Sequence, residues 1–403
     1  MLLGIFSDSH LGFGGEDRFE ESFARFKESI KMFKQHKVDF VLHAGDLFDC
    51  AVPEQEVWLR TFNVFSANEG GLSEVKRTYL GAEKIVKVKG VPIIAIHGTH
   101  EFRGKDFANA LDILEESNCL VHVHAGYAVL EKGGETVFVH GLGGVPEKNA
   151  KLVLEKYHPV PISGHTNLLL LHQSFIDFLP FDDDAIASLS LSDLPKGFDL
   201  ILDGHLHWTS EQNFDGVRFL LTGSAIFTQM KKLEAEKPKG VYLFDTVSKL
   251  LTFVPFQCQR KLFYEKINFN NALPEEVIRL ANEKVDLFLS GKFFELKPLV
   301  RIKLTGSLAK GFSQSDVVLN FSRYSDVAVF SVSKNFVIES FKKKIEGLKA
   351  EQLSKKNVVD LGVDLLEKNV EEAGLKNFDT RRIFDLLAVS ENEKAQDLLM
   401  ASE

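Results

Sequence analysis

Carboxylate and imidazole side chains gather at five points of this sequence, each just after a short apolar run. Asp and His are ligands that proteins offer to divalent metals such as Mn²⁺, Fe²⁺ or Zn²⁺. No Cys-x-x-Cys occurs, which argues against a thiolate zinc site. The clusters are Asp8-Ser9-His10, Gly45-Asp46-Leu47-Phe48-Asp49, His97-Gly98-Thr99-His100-Glu101, His172-Gln173 and Asp203-Gly204-His205-Leu206-His207.

Asp46 is the residue that we expect to bridge two cations, because a carboxylate can do so and an imidazole cannot readily. Two metals about 3.5–4 Å apart suit phosphoester hydrolysis, since they clamp the phosphate oxygens and lower the pKa of a water. A nearby imidazolium can then protonate the leaving alkoxide. A single histidine beside a strand is more often structural, but five clusters of this kind favour a metal site.

The elements that would carry these clusters alternate along the chain. Leu2–Phe6, Phe40–Ala44 and Pro92–Ile96 read as strands, and Phe side chains at helical spacing between Phe19 and Phe33 predict an amphipathic helix. Interleaved strands and helices indicate an α/β layered sheet. In such sheets, sites form at the carboxyl ends of strands, so the clusters are expected to converge.

Further along the chain, a run of strands without helices from 218 to 256 predicts that the sheet becomes partly antiparallel. We divide the chain into residues 1–260, a small α+β unit at 261–335, and a helical tail at 336–403 rich in Lys, Glu and Leu. The tail is too small to bury a core of its own, which favours docking on another surface.

Composition sets limits on function. Among 403 residues, 48 Lys and Arg against 57 Asp and Glu give a net charge of −9, which disfavours a non-specific nucleic-acid coat. Three dispersed cysteines do not predict a disulfide framework. With no signal-peptide pattern and no apolar stretch of roughly 18 residues, we expect a soluble, cytoplasmic protein with no membrane contact.

In order, the motifs D-x-H, G-D, G-[N]-H-[DE], H and G-H-x-H resemble the calcineurin-like metallophosphoesterase superfamily. Within it, the chain most resembles the Mre-eleven/SbcD family of DNA double-strand-break repair nucleases. The segments that carry the narrower resemblance are Asp8–Phe13, Ala44–Phe48, Leu171–Gln173, Gly204–His207, Thr222–Ser224 and Lys239–Leu243. The resemblance implies a β-sandwich flanked by helices, a small α+β capping domain and a helical C-terminal tail.

The resemblance also implies roles for single residues. One metal would be held by Asp8, His10, Asp46 and His207. The other would be held by Asp46, His172 and His205. The two divalent ions are expected to be Mn²⁺, His100 would be the general acid or phosphate-contacting residue, and Phe13 would lie near the nucleic acid.

One departure from the family pattern is Thr99, which stands where the family usually has an Asn whose amide oxygen reaches the second metal. A neutral hydroxyl on a shorter arm is a poorer ligand, so we predict weaker binding of that metal. His97 could lend a nitrogen instead, or simply make a hydrogen bond at a strand end. Asp49 stands where some members have His, and we predict a cap or turn role for it.

Partners follow from the same resemblance. Residues 336–403 would pack on the coiled-coil base of an SbcC-type ABC ATPase, unless the tail folds back on its own domains. Residues 261–335 would help to orient DNA. A homodimer would form through helices near Val57–Phe65 and Phe107–Leu114, for which core packing is the alternative.

The leading hypothesis is a metal-dependent exonuclease and single-strand endonuclease that acts on DNA ends and single-stranded DNA. A phosphodiesterase or phosphatase with a non-DNA substrate is the first alternative. The phosphatase turn G-D-x-x-D-R-G is broken here, because Asp49 is followed by Cys50-Ala51. A weakly active scaffold that tethers DNA ends is the second alternative, supported only by Thr99.

Overall fold

The computed structural model describes residues 1–15, 18–79, 81–104, 107–179, 189–336, 362–363, 366–367 and 379–388. These residues form two compact units. The first comprises Met1–Tyr264, Gly291–Arg301 and Arg323–Ser331, and the second comprises the described parts of 265–290, 302–322 and 332–403. The division at residues 260 and 335 stays a prediction.

The strands of the described chain are β1 (Leu2–Phe6), β2 (Phe40–Ala44), β3 (Leu72–Tyr79), β4 (Ala82–Lys89), β5 (Ile93–Ile96), β6 (Val121–His122), β7 (Gly126–Lys132), β8 (Glu135–Gly141), β9 (Thr166–Leu171), β10 (Leu200–Asp203), β11 (Ser210–Phe214), β12 (Val217–Leu221), β13 (Gly240–Asp245), β14 (Leu251–Pro255), β15 (Leu262–Ala272), β16 (Leu299–Leu308) and β17 (Val329–Phe336). The helices are α1 (Phe19–Gln35), α2 (Gln55–Ser66), α3 (Ala110–Glu116), α4 (Ala150–Tyr157), α5 (Lys232–Ala235), α6 (Pro274–Leu289) and α7 (Thr380–Ala388). Among these helices, none is both long enough and apolar enough to cross a bilayer.

Two sheets build the first unit. A six-stranded sheet has the order β14-β13-β1-β2-β5-β6, and an eight-stranded sheet has the order β11-β12-β10-β9-β8-β7-β3-β4. Strands β1, β2, β5 and β6 pair in parallel, whereas β13 and β14 add to the edge antiparallel. The predicted α/β class and its partly antiparallel late strands are therefore confirmed.

The cores follow from the alternation of side chains along each strand. Leu168 and Leu170 of β9 join a buried cluster shared by both sheets, to which β1 contributes Leu3 and Ile5. The next residue of β1, Phe6, lies in a second cluster with the Phe stripe of α1. The strand ends that carry the motifs are thus fixed by cores on both faces of the six-stranded sheet.

Several features differ from the predicted elements, among them the unpredicted helices α4 and α5, and α5 interrupts the run of strands over 218–256 that was expected to lack helices. The hairpin of β3 and β4 and the neighbouring β7 were not predicted, although the alternation of Lys and Val at 86–89 is the pattern of a half-buried strand. The helix expected from Phe107 begins at Ala110 instead. Asn109 ends the preceding loop by accepting the backbone N–H of Leu111, as the first residue of a capping box with Asp112.

A separate three-stranded sheet has the order β15-β16-β17. Together with α6 it matches the predicted strand, helix, strand and strand of the small α+β segment. Pro274 lies in the first turn of α6, as its fixed backbone angle favours. In the tail, the helices predicted over 338–348 and 359–370 fall almost entirely outside the described residues, whereas Ile383 lies buried on α7.

Candidate metal centre

Four of the predicted metal ligands have a left-handed backbone, a conformation that residues other than glycine rarely adopt. Asp8, His10, Asp46 and His205 have φ angles of 47°, 45°, 50° and 69°. Such left-handed residues cost of order 1–3 kcal/mol each and concentrate at functional sites. The turns after β1 and β2 support each other, since Asp8 N–H donates to the carbonyl oxygen of Gly45 at 2.9 Å.

Asp8, His10 and His207 form a first group of buried side chains. Oδ1 of Asp8 lies 3.9 Å from Nε2 of His10 and 3.6 Å from Nε2 of His207. The two Nε2 atoms are 3.2 Å apart. Asp8 and His10 follow a strand of the six-stranded sheet, whereas His207 follows β10 of the eight-stranded sheet.

Both imidazoles of this group are oriented through Nδ1. Nδ1 of His10 is 3.0 Å from Oδ1 of Asp49, and Nδ1 of His207 contacts Oγ1 of Thr228. When Nδ1 donates its hydrogen to an oxygen, Nε2 keeps a lone pair for a metal, which is the usual arrangement around ligating histidines. The carboxylate of Asp49 therefore does more than the cap or turn role predicted from sequence.

Asp46, His172 and His205 form a second group. Nδ1 of His172 donates to the carbonyl oxygen of Ala44 at 2.8 Å, which directs Nε2 toward Asp46. Nε2 lies 3.1 Å from Oδ2 of Asp46 without the alignment of a hydrogen bond, and it is buried with no hydrogen-bond partner. Because buried polar atoms are normally satisfied by hydrogen bonds, a buried imidazole nitrogen that has only an ion-pair contact with a carboxylate fits a divalent cation shared by the two.

Burial and neighbouring charges set the protonation states of the site. Burial raises the pKa of Asp8 to about 6. Burial opposes the charged form of His172, but the Asp46 carboxylate outweighs it and raises the pKa of His172 to about 10. Burial lowers the pKa of His205 to about 3 and that of His207 well below its ordinary value. Neutral imidazoles and buried carboxylates are the forms that bind metal, and binding would release the His172 proton.

Two glycines are required by the close approach of the loops. A Cβ on Gly98 would lie 2.0 Å from Oδ1 of Asp46, and a Cβ on Gly45 would lie 2.4 Å from Nδ1 of His172. Gly45 also has a φ of 94°, which only glycine adopts without strain. A side chain at either position would displace a residue of the second group.

His100 lies at the open side of the site, with 44% of its side chain exposed. Its backbone N–H donates to Oδ1 of Asp46 at 2.9 Å, and its Nδ1 donates to the carbonyl oxygen of Asp49 at 2.8 Å. Nε2 lies 4.0 Å from Oδ2 of Asp46. The ring stands 4.9 Å from that of His10, centroid to centroid.

The other predicted site residues lie around this centre. Oγ1 of Thr99 is 3.3 Å from Nδ1 of His205, beside the second group. His97 contacts Nε2 of His122 through its Nδ1 at 3.1 Å. The ring of Phe13 is 6.3 Å from that of His10, and the guanidinium of Arg18 covers it at 4.9 Å.

Sequence reasoning assigned no role to several residues that support the site. Glu101 is fully buried, and its two carboxylate oxygens accept the backbone N–H groups of Phe48 and Gly98, both at 2.7 Å. It therefore joins the loop that carries Asp46 to the loop that carries His100. An acidic residue three positions after a glycine was the available signal, but its partner at Phe48 depends on the fold.

Comparison with known proteins identifies the class. The family model described as calcineurin-like phosphoesterase matches residues 1–209, more than half of the chain. The chain therefore belongs to the calcineurin-like phosphoesterase family and is a metal-dependent phosphodiesterase.

The resemblance to the Mre-eleven/SbcD family is also confirmed. The chain is 25% identical to the DNA double-strand break repair protein Mre11 of Sulfolobus acidocaldarius, over 99% of this chain and 98% of that protein. It is 27% identical to the Mre11 protein of Sulfurisphaera tokodaii, over 79% and 78%. The double-strand break repair protein MRE11 of Oryza sativa subsp. indica is 28% identical, and the match spans only 43% of its length.

Proposed function

We propose that this chain is a two-metal DNA nuclease, an exonuclease and single-strand endonuclease that acts in double-strand-break repair. The observation that carries the proposal is the pair of ligand groups, in the second of which the buried Nε2 of His172 lies 3.1 Å from Asp46 and has no hydrogen-bond partner. The names of the Mre11 relatives support DNA as the substrate. Mn²⁺ is the proposed metal, since carboxylate and imidazole ligands suit it.

In this proposal Asp8, His10, His207 and Asp46 hold one ion, and Asp46, His172 and His205 hold the other. When bound, the ions supply Lewis-acid stabilisation of the phosphate and a water of lowered pKa. Asp46 itself is held by the N–H of His100 and by the close packing of Gly98. Nδ1 of His100 donates to the carbonyl oxygen of Asp49. Nε2, the other nitrogen of the ring, protonates the leaving oxygen as general acid.

The proposal is tested by incubating the purified protein with labelled duplex and single-stranded DNA, in Mn²⁺ and then in Mg²⁺. Cleavage that requires the metal and stops with a chelator is the expected result. A simple phosphodiester such as bis-p-nitrophenyl phosphate serves as a second substrate. Hydrolysis of that compound without cleavage of DNA, even with the ATPase and ATP added, would contradict the nuclease and favour a non-DNA substrate.

Replacing Thr99 with Asn is expected to raise the affinity of the weaker metal site for Mn²⁺ about 10-fold. Mutations of residues next to metal ligands typically change metal affinity by this amount or more. The physical reason is that an amide oxygen on a longer arm reaches an ion that the Thr hydroxyl, 3.3 Å from His205, reaches poorly. Calorimetric Mn²⁺ titration measures the two affinities. Thr99→Ser is the matched control and should show no gain, whereas two equally tight sites in the wild type would refute the idea of a weak site.

The two segments after residue 260 are proposed to serve partners. Residues 261–335 would orient DNA as a capping domain, and 336–403 would bind the SbcC-type ATPase. On α7 the side chain of Ile383 is 2% exposed while Leu387 is 45% exposed, so this helix offers some apolar surface. Unchanged capture of the ATPase by a variant ending at Asn335 would contradict the role of the tail.

We propose that the chain forms a homodimer through α2 and α3. The exposed fractions of Leu59, Phe62 and Ile113 on these helices are 64%, 38% and 45%, and a dimer interface would cover these apolar side chains. Replacing both Leu59 and Phe62 with Glu should raise the dimer Kd at least about 30-fold, the equivalent of one strong contact. Sedimentation measures it.

The matched control for this test is Leu152→Glu, because Leu152 is 67% exposed on α4. The dimer should persist in that variant. A monomeric wild type, or a dimer that survives the change on α2, would overturn the proposed interface.

A further inference from the structure

A buried ion pair contacts the main chain of His207, one of the proposed metal-binding histidines. Nζ of Lys239, the residue before β13, is 3.1 Å from Oε1 of Glu234 on α5, and both side chains are almost fully buried. The same ammonium donates to the carbonyl oxygen of His207 at 2.6 Å and to Oγ of Ser224 at 2.8 Å. An ammonium group has three donors, and each of them has an acceptor here.

The carboxylate of Glu234 organises the neighbouring turn. Oε1 accepts the backbone N–H of Thr228 at 3.4 Å, and Oε2 accepts those of Gln229 at 3.1 Å and Lys231 at 3.4 Å. This turn carries the hydroxyl of Thr228 to Nδ1 of His207. One carboxylate therefore holds the backbone of the residue that orients the imidazole.

We propose that Lys239 and Glu234 form a positioning pair for His207. The ammonium fixes the main chain of His207, and the carboxylate fixes its Nδ1 partner, so Nε2 faces Asp8 and His10. A buried ion pair adds little to stability over apolar residues of the same size, because desolvation offsets the attraction. Its contribution here is geometric. The inference rests on the proposed function, in which His207 binds a metal.

The test compares Mn²⁺ binding by the wild type, a Lys239→Met/Glu234→Gln double variant and Thr228→Val. The double variant removes both charges together, since removing one would leave the other buried and unpaired. Calorimetry and electron paramagnetic resonance follow the titration. The tighter of the two sites should weaken about 10- to 100-fold in both variants, the range for residues that orient ligands. The other site and the melting temperature should change little, and Thr228→Ser should restore the affinity.

A partly buried ion pair provides the control, because Nη2 of Arg77 lies 2.6 Å from Oε1 of Glu115 without contact to a proposed ligand. The double variant Arg77→Met/Glu115→Gln should keep both affinities. Unchanged Mn²⁺ binding in the Lys239 and Thr228 variants would overturn the positioning pair alone. Equal weakening of both sites together with a lower melting temperature would also overturn it, as a general structural effect. A wild type that binds no Mn²⁺ would instead defeat the proposed function.

Discussion

Replacing His100 with Gln is expected to lower the rate of phosphodiester hydrolysis about 10²- to 10⁴-fold, the contribution of a positioned general acid. Gln keeps the backbone N–H that donates to Asp46, so the carboxylate stays in place. What it removes is the imidazole nitrogen Nε2, the atom proposed to deliver the proton at the open side of the site. Single-turnover cleavage of labelled DNA measures the effect, with Mn²⁺ affinity measured on the same sample.

Comparing the rate and the Mn²⁺ affinity of this variant shows whether His100 acts as a general acid or as a metal ligand. Loss of rate with unchanged Mn²⁺ binding supports the acid role, whereas loss of both would show that His100 acts through the metal. A leaving group that needs no proton, such as p-nitrophenolate, should reduce the defect. His165→Gln, at an exposed histidine whose ring packs on Phe138, is the matched control and should keep full activity.

Replacing Asp46 with Asn is expected to abolish tight binding at both metal sites, with affinity lowered by more than about 100-fold. Changes beside metal ligands cost 10- to 100-fold, and Asp46 is proposed to be a ligand of both ions. Asn has nearly the same shape, so it can still accept the N–H of His100, but it lacks the charge that faces His172. Mn²⁺ titration measures the loss, and hydrolysis should fall to background.

Asp199→Asn is the control for this change. Asp199 accepts the backbone N–H of Asn167 at 2.8 Å and pairs with Lys249, away from the two ligand groups. That variant should bind Mn²⁺ as the wild type does. If Asp46→Asn still bound one ion with native affinity, Asp46 would not bridge the two sites.

Much of this site could be predicted from sequence because its side chains lie next to strand ends. The apolar runs before Asp8, Asp46 and His172 locate the strands, and parallel strands place their carboxyl ends together. Sequence could not predict the left-handed backbone of Asp8, His10, Asp46 and His205, because φ is set by the loops that meet there. The hairpin of β3 and β4 was not predicted either, although its alternating Lys and Val are the pattern of a half-buried strand.

The residues that orient the ligands were harder to predict for a related reason. Thr228 lies 21 positions after His207, and Lys239 lies 32 positions after it. Only the pairing of the strands brings these segments together. Contacts of this range depend on the completed fold, so no local pattern around His207 indicates them.

Each ligand group draws residues from both sheets, with Asp8, His10 and Asp46 from one and His172, His205 and His207 from the other. A cation bound to either group would therefore clamp the two layers of the sandwich, and the unfolded chain would offer no such site. By mass action, ion at a hundred times its Kd would add about 2.7 kcal/mol to the free energy of unfolding. Chelation should then lower resistance to heat and to proteases, so that cellular metal supply governs the lifetime of the protein as well as its catalysis.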